Sequence, residues 1–395
     1  MTEKTQTKLD PSGKQMVKFI TRICEDVGPR VGGSEGEKKA GHIIREEMSK
    51  FCDDVETQEF ECHPGGFLDY IWITAIFYVL GVLSYFFIPL IALILILIGI
   101  LIYFAQQSLT LEIVDFLFPK VESFHVIGKI KPKNEPKKLV LLGGHHDSAY
   151  EFPLLSRLGG ASRYLIMFTL VVSVLNMILA LLRTFINFYL IDFIQIILFI
   201  IGVPLILVIA IFLRSNKGVL GANDNLTAVA AILEIGKYFS KEENRPEETE
   251  LWIVSFAGEE HMRGSKRFVS MNKEELETRN ATLFNLECLS GDIFLLATAE
   301  NLFFATHSEK VVEIGKKAAE DLGIEIEVGP LKFAGSDSAN FSRKGLDAAT
   351  LFGQAKKGTP ADWHTLRDTP ERLNGKNIAK GAEIALRYVE LVDKR

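Results

Sequence analysis

Two stretches of the chain abandon the mixture of polar and apolar positions that folds a water-soluble protein. From residue 70 to residue 111 there is no charged side chain, and the run YIWITAIFYVLGVLSYFFIPLIALILILIGILIYFAQQSLTL fills the interval. One bilayer crossing takes ~20 apolar residues, so this length predicts two helices joined by a short turn near Phe87 to Pro89. A second apolar block, 164–213, is bracketed by Arg163 and Arg214 and interrupted by Arg183 and Asp192. It too fits two crossings around a polar turn. A buried core hairpin is the competing explanation, but buried helices rarely run ~18 residues without polar punctuation.

The rest of the chain follows soluble periodicities. Residues 10–51 predict two amphipathic helices around a turn, with Ser34 as N-cap and Glu37, three residues on, completing a capping box. DVETQEFECH predicts a strand leading to the first apolar run. SFHVIGKI and LVLLGG, separated by the turn KPKNEPKK, predict a pair of adjacent strands. Beyond Arg214, helical and strand patterns alternate to a long final helix, which predicts an α/β fold with helices on both faces of the sheet.

Four crossings return the chain to the side it left. Residues 1–65, 107–162 and 215–395 are therefore expected to form one discontinuous soluble domain, with hairpins 70–106 and 164–213 inserted into it. The first 65 residues are charged and helix-like, so no cleavable signal peptide is read there. Arg157, Arg163, Arg214 and Lys217 flank the second hairpin on the domain side, against Arg183 in the far turn. That bias predicts a multi-pass protein whose soluble domain is cytoplasmic. Cys24, Cys52, Cys62 and Cys288 show no CxxC spacing and no disulfide framework, although Cys52 and Cys62 could pair in an oxidising compartment. The net charge of −6 argues against nucleic acid as a partner.

Chemistry-bearing residues fall at the ends of the predicted strands, where α/β sheets place their ligands. His145, His146 and Asp147 follow LVLLGG, whose two glycines are read as a tight turn out of the strand. Asp224 sits in GANDN before a helix, Glu259 and Glu260 follow LWIVSFAG, Glu287 ends TLFNLE, and His364 lies in ADWHTLRDTP. Singly each has a bland explanation. A lone His is more often a satisfied core or surface residue, an Asp before a helix a cap, and a Glu pair a solvated helix start. Either imidazole of the His-His pair could serve as a ligand.

In order, the segments H-x-D, G-A-x-D-N, G-E-E-x-x-x-G-S, N-x-[DE] and W/Y-H-T-x-x-D-T resemble the co-catalytic zinc aminopeptidases of metallopeptidase family twenty-eight. That family also holds glutamate carboxypeptidase, glutaminyl cyclase and the non-catalytic transferrin receptor. The resemblance runs from about Gly28, includes GPRVGGSEGE, and skips both hairpins. It implies a mixed central sheet flanked by helices on both faces, the zinc exopeptidase fold, here with two inserted transmembrane hairpins. It also implies two zinc ions per chain: His145 and Glu287 on one, Glu260 and His364 on the other, Asp224 bridging both. Glu259 would be the general base, pointing away from Glu260 along an extended backbone. Asp147 would orient His145, and His146 would be structural. Relatives commonly have Asp where Glu287 stands.

The activity so implied is zinc-dependent exopeptidase cleavage, with aminopeptidase the commonest form. Carboxypeptidase or dipeptidase action, a glutaminyl cyclase-like acyl transfer and an inactive membrane scaffold are the alternatives. Ser336, Asp337 and Phe341 resemble the family's specificity-pocket lining, and Arg343 could hold a substrate carboxylate. The second hairpin enters the sequence between His145 and Asp224, which suggests a cleft near the bilayer that takes hydrophobic peptides. Hairpins that only anchor the enzyme, or let it form homo-oligomers, are the blander expectation.

Overall fold

The computed structural model describes residues 7–356 and 358–395; the first six residues and residue 357 lie outside the described residues. The chain divides into two compact units: Met1–Cys62, Val121–Tyr150 and Gly218–Arg395 form the first, His63–Lys120 and Glu151–Lys217 the second.

The first unit is built on one mixed sheet. Its strands, in chain order, are β1 (Asp54–Cys62), β2 (Val121–Ile130), β3 (Lys138–His145), β4 (Thr249–Phe256), β5 (Thr282–Glu287), β6 (Ile293–Glu300), β7 (Ala305–Thr306), β8 (Ile326–Leu331) and β9 (Asp347–Gln354). They lie in the order β1-β2-β4-β3-β5-β9-β6-β7, with β8 paired to β6. β3 runs parallel to both β4 and β5, and β5 parallel to β9, whereas β1, β2 and β4 pair antiparallel. The parallel centre is covered on both faces, which is why LVLL and LWIV read as unbroken apolar runs. One face packs on the helices Leu226–Phe239 and Gly375–Asp393, where Phe284 stacks on Tyr388 at 4.4 Å. The other packs Phe256, Phe268 and Phe341 against Trp252 and Leu141.

Two local expectations are corrected. β2 and β3 are not neighbours, because β4 lies between them, antiparallel to one and parallel to the other. The glycines before His145 do not turn the chain, since β3 continues through His145. They admit neighbours: a Cβ on Gly144 would lie 2.6 Å from Ala228 on the helix beneath, and one on Gly143 2.7 Å from Asn285 Oδ1.

The second unit holds four helical spans long and apolar enough to cross a membrane among the described residues: Gly65–Tyr85, Pro89–Ser108, Ala161–Phe185 and Tyr189–Phe212. Their polarity is inverted relative to the first unit. Ile76, Leu83, Phe193 and Ile200 face outward, while Thr74, Asn176 and Gln195 are buried. Small residues let the helices approach closely. A Cβ on Gly81 would crowd Ile96, and one on Gly202 would clash with the Tyr78 hydroxyl, itself the acceptor for the Asn176 amide. Gly202→Ala is therefore expected to destabilise the detergent-solubilised protein by about 1–3 kcal/mol. Tyr78→Phe, which deletes the obstructing oxygen, should recover part of that loss; thermal unfolding of the single and double variants measures the coupling.

Candidate metal centre

The site lies at the carboxyl ends of the central parallel strands. β3 ends on His145 and β5 on Glu287, and the turn after β4 carries Glu259 and Glu260. Asp224 stands two residues before the helix Leu226–Phe239, and His364 lies in the loop after β9. Parallel pairing aligns these ends, so residues far apart in sequence converge.

His145 Nε2 lies 3.3 Å from Asp224 Oδ1 and 3.5 Å from both Glu259 Oε2 and Glu287 Oε2. On the other side, His364 Nε2 lies 3.2 Å from Asp224 Oδ2 and 3.2 Å from Glu260 Oε2. Three donor groups result: His145, Asp224 and Glu287; Asp224, Glu260 and His364; and His145, Glu259 and Glu260. A tetrahedral zinc with bonds of ~2.0–2.1 Å has ligand-to-ligand edges of about 3.3 Å. The observed separations fit that cage, and the imidazole and carboxylate donor set suits zinc.

The electrostatics call for positive charge. Burial alone would lower both histidines, yet Glu287 and Glu259 lift His145 well above the usual imidazole range. Glu260 and Asp224 overcome the same burial at His364 and lift it to about 10. Burial pushes Glu287 up to about 7 despite His145, and raises Glu259 and Glu260 as well. Asp147, pulled against burial by its hydrogen bond to His145, is held at about 2.

Asp147 joins the two strand ends. Its Oδ1 lies 3.3 Å from His145 Nδ1 and accepts the Glu259 N–H at 3.1 Å, while its Oδ2 accepts the Glu260 N–H at 3.1 Å. Glu259 and Glu260 thus occupy a turn rather than an extended backbone, and both carboxylates reach the cluster, one toward each histidine. His146 turns away and meets the Ser255 hydroxyl at 2.9 Å.

Several supporting residues had no role assigned from sequence. Asp368 accepts the N–H groups of Asn223 and Asp224, at 2.7 and 3.1 Å, and so fixes the bridging loop. Asn225 donates to Glu287 Oε2 at 2.5 Å and accepts the Cys288 N–H, and Asn285 donates to Glu287 Oε1 at 3.0 Å. Glu287 is thereby clamped on both oxygens. Buried Arg30 donates to the carbonyls of His146, Leu220 and Gly221. Only half of the expected capping box forms: Ser34 accepts the Glu37 N–H, but the Glu37 carboxylate takes the N–H groups of Gly33 and Gly258. The signal for Asp368 and Asn225 was their fixed offset from His364 and Asp224. Glu37 is marked in the sequence only as a helix cap, and Asn285 only as the residue that opens the Glu287 motif.

The four pocket candidates lie on or beside one short helix, Asp337–Ser342, with Ser336 as its N-cap and Arg343 as its C-cap. Ser336 is fully buried, its hydroxyl bonded to Glu300 and Thr350, and Phe341 packs on Phe256 and Phe268. Neither has surface to offer a substrate. Asp337 is also fully buried, and burial raises it well above the usual carboxylate range. Arg343, at the end of the short helix Asp337–Ser342, is half-buried.

A model of peptidase family M28 matches residues 206–389. Aminopeptidase YwaD of Bacillus subtilis (strain 168) is 25% identical over 170 residues, 42% of this chain and only 36% of the length of that relative. Among solved structures, BSAP, a zinc aminopeptidase from Bacillus subtilis, gives a TM-score of 0.58 at 16% identity, covering 98% of this chain and 96% of that one. A Zn-dependent exopeptidase from Parabacteroides distasonis gives 0.57 at 16% identity, over 98% and 99%. A glutaminyl cyclase from Bacteroides thetaiotaomicron gives 0.55 at 14% identity, again over 98% and 99%. The likeness is one of fold.

Because Asp147 braces both a ligand imidazole and the Glu259-Glu260 turn, Asp147→Asn is expected to weaken zinc retention by roughly ten- to a hundred-fold. Competition with a chromogenic chelator measures it, and unchanged affinity would deny Asp147 this role.

Proposed function

We propose that this chain, which belongs to peptidase family M28, is a membrane-anchored zinc exopeptidase that removes N-terminal residues from peptides. The observation that carries the proposal is the shared carboxylate: Asp224 turns Oδ1 toward His145 and Oδ2 toward His364. His145, Asp224 and Glu287 would hold one zinc ion, and Asp224, Glu260 and His364 a second. Bound zinc supplies Lewis-acid polarisation of the scissile carbonyl and lowers the pKa of water.

The chain's own residues do the rest. The Asp147 backbone carbonyl, 3.2 Å away, accepts the His145 Nδ1–H, with the Asp147 carboxylate 3.3 Å from the same nitrogen, which leaves the Nε2 lone pair directed at the cluster. Glu259 belongs to neither of the two sets that share Asp224, so its carboxylate is available to accept the attacking water's proton and deliver it to the leaving amine. Asp368 and Asn225 keep Asp224 and Glu287 in place through those proton movements. Preference for the amino end of a peptide rests on the aminopeptidases among the relatives.

The four apolar helices anchor the chain in a bilayer as two hairpins. Arg157, Arg163, Arg214 and Lys217 at the open end of the second, against Arg183 at its closed end, support a cytoplasmic peptidase unit. Insertion of that hairpin between His145 and Asp224 in the sequence favours apolar or membrane-released peptides as substrates.

Detergent-purified protein is expected to hydrolyse aminoacyl-anilides. Glu259→Gln should lose roughly a hundred- to ten-thousand-fold in kcat while keeping its zinc. A Glu259→Gln enzyme of wild-type activity would overturn the assignment. Cyclisation of glutaminyl peptides without anilide hydrolysis would favour acyl transfer, the activity named for glutaminyl cyclases among the structural neighbours.

A further inference from the structure

The ten residues after the second span, LTLEIVDFLF, are folded inside out. Two of their three polar side chains turn inward: Thr110 and Asp115 are buried while Glu112 is half-buried, and Asp115 Oδ1 accepts a hydrogen bond at 2.7 Å from buried Gln106, which also donates to the Gly66 carbonyl at 2.5 Å. Most of their apolar side chains turn outward, whereas Val114 packs with Tyr70 and Ile102 and Phe118 rests partly buried against them. Phe116 is 74% and Leu117 58% exposed, and Leu109, Leu111 and Ile113 are exposed as well. The backbone is bent to achieve this, with Thr110 and Glu112 at φ of 48° and 60°, a region that costs energy for residues with a Cβ. In water this arrangement loses on both counts, since it exposes what the hydrophobic effect buries and buries what water solvates.

The height of the segment in its unit is set by its contacts. Gln106 reaches the Gly66 carbonyl and Tyr70 donates to Gln107 at 3.1 Å, so the segment folds against the start of the first span as it leaves the end of the second. Phe118 closes the loop, its carbonyl 2.7 Å from His63 Nδ1. The same end carries the bidentate Arg214 to Asp69 pair. The exposed apolar side chains therefore continue the outward faces of the spans at the level where the helices begin and end.

We infer that residues 109–118 form a lipid-facing wedge seated in the interfacial layer of the bilayer, in the leaflet where both hairpins open. The occupant of this face is lipid, because the face is continuous with helices whose outward residues are apolar and because Thr110 and Asp115 are buried beneath it. Two residues, Pro119 and Lys120, join the wedge to β2. The inference rests on the membrane anchoring proposed above.

The test uses single spin labels at Phe116→Cys, Ile200→Cys and Lys241→Cys in the full chain. The protein is reconstituted in vesicles of phosphatidylcholine with a minority of phosphatidylglycerol. The parent chain, whose cysteines are buried except half-buried Cys52, gives the background. Ile200 is 68% exposed on a span and Lys241 is exposed in the peptidase unit. The ratio of oxygen to polar nickel-chelate accessibility at 116 should fall between that at 200 and that at 241, because polar solutes are excluded from hydrocarbon and only in part from the interfacial layer. Lipid-like values at 200 with nickel access at 116 equal to that at 241 would overturn the wedge and leave the anchoring intact. Shielding of 116 from both reagents would mean that protein covers the face, which also overturns it. Nickel access at 200 would overturn the anchoring and the wedge together.

Discussion

Everything at the candidate site depends on how a buried group of carboxylates is neutralised. Asp147, Asp224, Glu259 and Glu287 are buried, Glu260 nearly so, and all of them crowd against the two imidazoles His145 and His364. Desolvated like charges at these separations are untenable without cations between them. Among the described residues the donors stand at the spacing of ligands around a metal. Asp224 is the hinge of that arrangement because each of its oxygens faces a different histidine.

The sheet makes such density attainable. Parallel β3, β4 and β5 end side by side, so two ligands sit on the final residues of strands and the Glu pair in the turn just beyond. Gly144 brings the helix that follows Asp224 close under β3. Asp147, Asp368, Asn225 and Asn285 then hold ligands through backbone or side-chain hydrogen bonds, which is the support that fixes a site to within fractions of an ångström. The hairpins obey the opposite rule, with apolar faces outside and amides within, and the segment after the second span extends that inversion.

Much of this was legible in the sequence because it is periodic or motif-bound. The apolar runs gave the spans, the strand and helix alternation gave the α/β class, and the ordered motifs pointed to each residue of the cluster. What was not legible depends on neighbours distant in sequence. The insertion of β4 between β2 and β3 cannot be read from two strands and a turn. The close approach of Ala228 to Gly144 is a tertiary contact, and a glycine pair before a His looks the same whether it turns the chain or admits a helix. Ser336 and Phe341 sit in a segment that resembles a pocket lining, yet Glu300, Thr350, Phe256 and Phe268 claim their side chains. Glu37 shows the same effect, its carboxylate drawn past the cap it was expected to complete and bound to Gly258.

The central claim is that Asp224 stands between two metal ions. Anomalous scattering recorded above and below the zinc absorption edge, from crystals grown with zinc, tests it most directly. The account requires two peaks, one shared by Asp224 Oδ1, His145 and Glu287, the other by Asp224 Oδ2, Glu260 and His364. A single peak touching one oxygen of Asp224, or none at the strand ends, would contradict it.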